Sequence, residues 1–196
     1  VEVFCKTLGI DSPIVFGQSF GGMVAMHYAA RYPKSVSKLI LSSTAAQFRL
    51  DETEKMMRKL GGDYAAKVAY QFFSKPSQAA YDTYGKVCLP LYSNPNASAA
   101  GNFRDRAIER PEVALHFFSD EMVRMDMRSE IASIMCPTLV VGGTIDPVTP
   151  TICSQAIADA IGKNAYLKLF EGCGHGPHRD DPKGAEKVMR SFLSTN

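Results

Sequence analysis

The chain has 196 residues, enough to bury a substantial core in one domain, or in one domain with a large insertion. Hydrophobic residues at 45% and charged residues at 21% exclude a disordered chain. A formal net charge of +2 excludes the strong basic field used for nucleic acid, and no apolar run is long enough to span a bilayer, so neither nucleic acid nor membrane is expected as a partner.

Five cysteines, at 5, 88, 136, 153 and 173, form no C-x-x-C pair. They read as reduced thiols of a cytoplasmic protein, with no metal site. No signal peptide is evident, although the first residue is Val rather than Met.

Val1, Phe4, Cys5 and Leu8 have the spacing of one helical face, and Gly9 with Asp11-Ser12-Pro13 ends that helix. Ile14-Val15-Phe16 reads as a strand buried on both faces, followed by a tight turn from Gly17 to Gly22. A helix from about Met23 to Tyr32 stops at Pro33, and Leu39-Ile40-Leu41 is a second strand. The same alternation returns late. Thr138–Val141 and Tyr166–Phe170 read as strands, about Pro150–Ile161 and Lys183–Leu193 as helices. This predicts an α/β fold, a mostly parallel sheet flanked by helices.

Between these parts, helical stretches broken by Pro76, Pro90, Pro95 and Pro111 carry many aromatic residues and show no convincing strand. The expected organisation is a core at 1–45, an inserted helical lid at 46–135 and the rest of the core at 136–196.

Gly17-Gln18-Ser19-Phe20-Gly21 is a G-x-S-x-G sequence with a strand before it and an Ala/Met-rich helix after it. That context predicts a nucleophile turn. Ser19 stands at a strained apex, the helix N-terminus favours developing negative charge, and the Phe20 N–H is an oxyanion donor. Side chains at Gly17 or Gly21 are expected to crowd the neighbouring strand or helix.

A serine hydroxyl needs a base, and the base needs an orienting acid. Of the four histidines, His27 lies in the helix after the turn and His116 in the predicted lid. His175, in Gly-Cys-Gly-His-Gly after a strand, is the expected base, and His178 in the same loop is its rival. Asp146, in Gly-Thr-Ile-Asp-Pro after another strand, is the expected acid, with a simple turn-forming role as the alternative. The chain order Ser, Asp, His fits the nucleophile-elbow architecture.

With these motifs, and with Cys136–Pro147 around the acid, the chain resembles the α/β-hydrolase family. Val15–Ala46 and the Gly-Cys-Gly-His segment are similar to the proline iminopeptidase group and its esterase-like relatives. The resemblance implies several strands before the elbow and a second oxyanion donor from an early loop, often His-Gly. Only one helix and one strand precede Ser19 here, with no His-Gly among them. The chain therefore reads as the C-terminal part of a longer hydrolase, the N-terminal part of the fold being absent. Alone it is expected to expose a sheet edge and to be weakly active.

The resemblance further implies a serine hydrolase with no cofactor, acting on a small-molecule or short-peptide substrate with a free N-terminal amine. Such an amine needs a buried anion. Asp120, Glu121 and Asp126 are the candidates, with Glu121 preferred, and Gln18 beside the nucleophile is the other expected substrate-binding residue. The alternatives are a carboxylesterase or lactonase, with Tyr70, Phe72, Phe73, Phe103, Phe117 and Phe118 lining an acyl pocket, and a non-catalytic binding protein on the same fold. Assembly into a homo-oligomer stays open.

Overall fold

Four short strands lie side by side in chain order as a wholly parallel sheet: β1 (Ile14–Gln18), β2 (Lys38–Ser42), β3 (Thr138–Gly143) and β4 (Ala165–Phe170). The structure is a computed structural model, and it describes residues 1–94, 108 and 110–195. Its α-helices are α1 (Glu2–Thr7), α2 (Phe20–Arg31), α3 (Leu50–Ser74), α4 (Gln78–Val87), α5 (Pro111–His116), α6 (Met122–Arg124), α7 (Arg128–Ile131), α8 (Thr151–Ile161), α9 (Pro177–Asp180) and α10 (Pro182–Ser194). None is long and apolar enough to cross a membrane.

The period-2 alternation of a strand divides the central side chains between two cores. Leu39, Leu41 and Val140 pack with Met26 of α2, Ile131 of α7 and Ile157 of α8 on one face. Ile40, Leu139 and Val141 pack with Ala185 and Phe192 of α10 on the other. Covering helices on both faces is what a parallel sheet of apolar strands requires.

Helix α10 is fixed at both ends. Asp181 accepts from the Gly184 N–H at its start, and the Lys38 ammonium donates to the carbonyls of Phe192 and Leu193 at its end. A cation there satisfies orphan carbonyls and opposes the negative end of the helix dipole.

A third core lies in the helical stretch between β2 and β3. Met57, Val68, Phe72 and Phe73 of α3 meet Tyr84 of α4 and Met122 of α6. Helix α3 is broken at Gly62, whose φ of 72° and ψ of −173° suit glycine alone. Between α5 and α6 the chain makes a π-turn, Phe117–Glu121, in which the Met122 N–H donates to the Phe117 carbonyl five residues back.

One sequence expectation fails at the N-terminal end, and a predicted helix forms there with its apolar face largely uncovered. Strand β1 forms the sheet edge, and its Ile14 and Phe16 are about half exposed rather than buried on both faces. Helix α1 buries Cys5, while Val1, Phe4 and Leu8 face solvent, because no described element covers that side.

Candidate active site

The turn from β1 into α2 puts Ser19 at φ 52° and ψ −124°, a strained backbone for a residue with a side chain. Neighbouring strand ends hold it there. The Ser19 N–H donates to the Ser42 carbonyl at 3.0 Å, and Thr44 Oγ1 donates to the Ser19 carbonyl at 2.7 Å. A Cβ on Gly17 would come within 2.5 Å of the Gly21 carbonyl oxygen and 2.7 Å of the Gly22 Cα. The expectation for Gly21 is corrected, since a Cβ there meets nothing within 4 Å. Gly22 is the second crowded position, with the Thr44 side chain 2.6 Å from where its Cβ would sit.

Ser19 Oγ lies 2.9 Å from His175 Nε2. On the other side of the ring, Nδ1 lies 2.9 and 3.0 Å from the two oxygens of Asp146. This geometry suits a neutral imidazole with its proton on Nδ1, donating to Asp146, and Nε2 accepting from the Ser19 hydroxyl.

Asp146 is fully buried. Its Oδ1 accepts from the N–H groups of Val148 and Thr149, each at 2.9 Å, and its Oδ2 accepts from Thr149 Oγ1 at 2.8 Å. Burial opposes its ionisation. The facing His175 and these backbone donors outweigh burial and hold the carboxyl below its ordinary value. The turn-forming role and the contact with His175 therefore coexist in one carboxylate.

The two loops can approach because Gly143 has no side chain, since a Cβ there would strike the carbonyl oxygens of Cys173 and Gly174. The helical stretch fastens onto the histidine loop as well. The His175 N–H donates to the Tyr92 carbonyl at 2.6 Å, and the Tyr92 ring stands edge-on to the imidazole at 5.1 Å. Asn94 Nδ2 donates to the Gly172 carbonyl, while Asp180 accepts from the Asn94 and Gly174 N–H groups. Tyr92, Thr149 and Thr44 escape sequence reasoning, since none carries a motif. Only the short distance from Asp146 to Thr149 could have pointed to an internal hydrogen bond.

The remaining candidates fall elsewhere. Phe20 opens α2, so its N–H has no partner within the helix, and its ring packs against Phe117 at 4.9 Å. Gln18 turns away from the cavity and donates its amide to the His175 carbonyl at 3.1 Å, a bond that ties β1 to the histidine loop. Glu121 does not line the cavity either. Its exposed carboxylate lies 3.8 Å from His116, and Asp120 and Asp126 pair at the surface with Arg124 and Arg128. Ionised carboxylates on exposed helix faces stay with water and nearby cations rather than enter an apolar space. His27 pairs with Glu130 at the surface. His178 stacks edge-on to Phe16, and burial and the adjacent Arg179 push its pKa down. Tyr70 is exposed, and Phe103 lies outside the described residues.

A cavity of about 570 Å³ opens at Ser19 and His175 and runs into the helical stretch. Phe72, Phe73, Tyr84, Phe117, Phe118 and Met122 form much of its wall. Among the described lining residues no carboxylate occurs, and Arg110 is the one fixed charge. No cluster of three or more His, Cys, Asp or Glu side chains among the described residues is placed to hold a metal ion. Burial pushes the Cys88 thiol up to about 11 and the Cys153 thiol up to about 12, so both stay protonated and weakly nucleophilic near neutrality.

Comparison with known proteins agrees with this architecture. The chain is 28% identical over 204 residues to a proline iminopeptidase of Clostridium botulinum, covering 97% of this chain and 69% of that protein. It is 26% identical over 195 residues to a pimeloyl-[acyl-carrier protein] methyl ester esterase of Chromobacterium violaceum, covering 92% and 70%. The crystal structure of a proline iminopeptidase from Mycobacterium smegmatis superposes with a TM-score of 0.68 at 21% identity, covering 98% of this chain and 68% of that one. The chain thus spans about two thirds of the length of the curated relatives it matches. A sequence profile for the alpha/beta hydrolase fold matches residues 1–182, and with the parallel sheet, the strained serine turn and this length of match, the chain belongs to the α/β-hydrolase fold family.

Proposed function

We propose that the chain carries the reacting residues of a serine hydrolase that cleaves small esters or amides, with the helical stretch 46–135 acting as a lid over the site. One observation carries this reading: the unbroken hydrogen-bonded chain from Ser19 Oγ through His175 to Asp146, at the mouth of an apolar cavity.

Ser19 Oγ attacks the substrate carbonyl carbon while His175 Nε2 takes the hydroxyl proton. The Phe20 N–H donates to the oxygen that gains charge. The carbon–leaving-group bond breaks, and Nε2 returns the proton to the departing oxygen or nitrogen. Water then attacks the acyl-enzyme with the same base, releasing the acid and restoring Ser19. Throughout, Asp146 fixes the imidazole tautomer and stabilises the transient imidazolium.

The apolar lining of the cavity favours an ester with an uncharged acyl group. The similarity to proline iminopeptidases supports a second reading, hydrolysis of an N-terminal proline amide or peptide. That substrate brings an ammonium group, for which Glu121 is out of place. Its counter-charge would have to come from another group.

A fluorophosphonate should label Ser19 in the purified protein, and Ser19→Ala should abolish both labelling and ester turnover. Absence of labelling in the folded wild type would leave a non-catalytic binding role. Parallel assay of p-nitrophenyl butyrate and proline p-nitroanilide separates the two substrate readings.

A further inference from the structure

The π-turn between α5 and α6 points two successive phenylalanines into the cavity. The extra residue in this turn widens it. Phe117 and Phe118 both line the cavity with ring centroids 5.5 Å apart, as do the successive Phe72 and Phe73 of α3 at 5.0 Å.

They touch different neighbours. Phe117 lies 4.9 Å from the ring of Phe20, the residue directly after the nucleophile. It also packs against both the sheet core and the helical core, so it stands at the seam between them. Phe118 packs against the helical core, 5.1 Å from Phe72 and 5.5 Å from Phe73. An acyl group entering past Ser19 would therefore meet Phe117 near its carbonyl carbon and Phe118 further along its chain.

We propose that Phe117 is a specificity-determining residue that limits bulk next to the scissile carbonyl, so that the preferred substrates are esters of linear acyl groups and α-branched acyl groups are excluded. The inference rests on the serine-hydrolase reading of Ser19. It assigns the cavity to the acyl half of the substrate and divides selectivity between two neighbouring side chains. Phe117 governs branching and Phe118 governs length.

The test compares kcat/KM for p-nitrophenyl butyrate, hexanoate and pivalate in the purified protein, with fluorophosphonate labelling of Ser19 measured alongside. Wild type should favour butyrate over pivalate. Phe117→Ala should raise pivalate relative to butyrate by about tenfold or more, the range a hydrophobic pocket gains or loses per small group. Phe117→Trp should move the ratio the opposite way, which keeps the test informative if the alanine variant folds poorly. Phe118→Ala should alter the hexanoate-to-butyrate ratio and leave the pivalate-to-butyrate ratio in place. A wild type that labels at Ser19 but shows equal changes for all three esters in the Phe117 variants overturns this inference alone. A folded wild type that neither labels nor turns over any ester overturns it together with the serine-hydrolase reading.

Discussion

Gly17 and Gly21 bracket the same serine, but their surroundings differ. The atoms that a Cβ on Gly17 would strike include backbone of the following turn, which cannot swing aside. Gly17→Ala should therefore destabilise the fold by about 1–3 kcal/mol, the usual cost of over-packing, and slow labelling of Ser19. Gly21→Ala places its methyl in open space within the first turn of α2, and it should leave the label intact and gain up to about 1 kcal/mol from helix propensity. Thermal unfolding with a fluorophosphonate time course separates the two, and equal loss in both variants would count against this account of the turn.

Asp146 gives a pH signature of definite sign. Its folded carboxyl lies below the ordinary value of 3.8, so the ionised form stabilises the fold fully above that value and less as pH falls through the folded one. Asp146→Asn should thus be less stable than wild type at neutral pH, with the gap narrowing only below pH 3.8. A gap that narrows between pH 7 and 5 would assign the effect to another group.

Ser19, Asp146 and His175 were legible because each sits in a short local signature after a strand. Glu121 is expected from the need of a substrate amine for an anion, and that need does not say which carboxylate of the helical stretch faces the cavity; Glu121 lies exposed beside His116.

Among the elements, the strands and the helices that follow them were readable from apolar runs and their punctuation, and most boundaries moved by only a few residues. Strand β1 was misjudged because burial depends on what covers a strand, and nothing in Ile14-Val15-Phe16 records that it lies at an edge. Two irregularities in the helical stretch left no periodic trace, the break in α3 and the π-turn at Phe117–Glu121. The first has a measurable cost. Gly62 adopts a conformation that side chains avoid, so Gly62→Ala should destabilise the protein by about 1–3 kcal/mol despite alanine's better helix propensity. Chemical denaturation would show it, and a stabilised variant would mean that α3 prefers to run straight.

For the molecule as a whole, the sheet edge is the surface expected to govern association. Strand β1 pairs only with β2 among the described residues, and Phe4, Leu8, Ile14 and Phe16 leave apolar surface beside it. Unpaired edge groups next to exposed apolar side chains favour pairing between copies. The 196-residue chain should associate as its concentration rises, and Phe16→Lys should shift it toward monomer in sedimentation velocity. A wild type that stays monomeric throughout would show that the edge protects itself.

The bonds at Tyr92 and Asn94 have a mechanical consequence. The partners of Asp146 within its own loop lie no more than three residues away, and that loop is itself held from above, since Thr53 Oγ1 of α3 donates to the Val148 carbonyl at 3.1 Å. The main chain of His175 is held from both sides, because its N–H donates to the Tyr92 carbonyl and its carbonyl accepts from Gln18 of β1. Acid and base thus each have an anchor in the helical stretch, Thr53 for one loop and Tyr92 for the other. A change that loosens the packing of those helices is therefore expected to loosen both loops together.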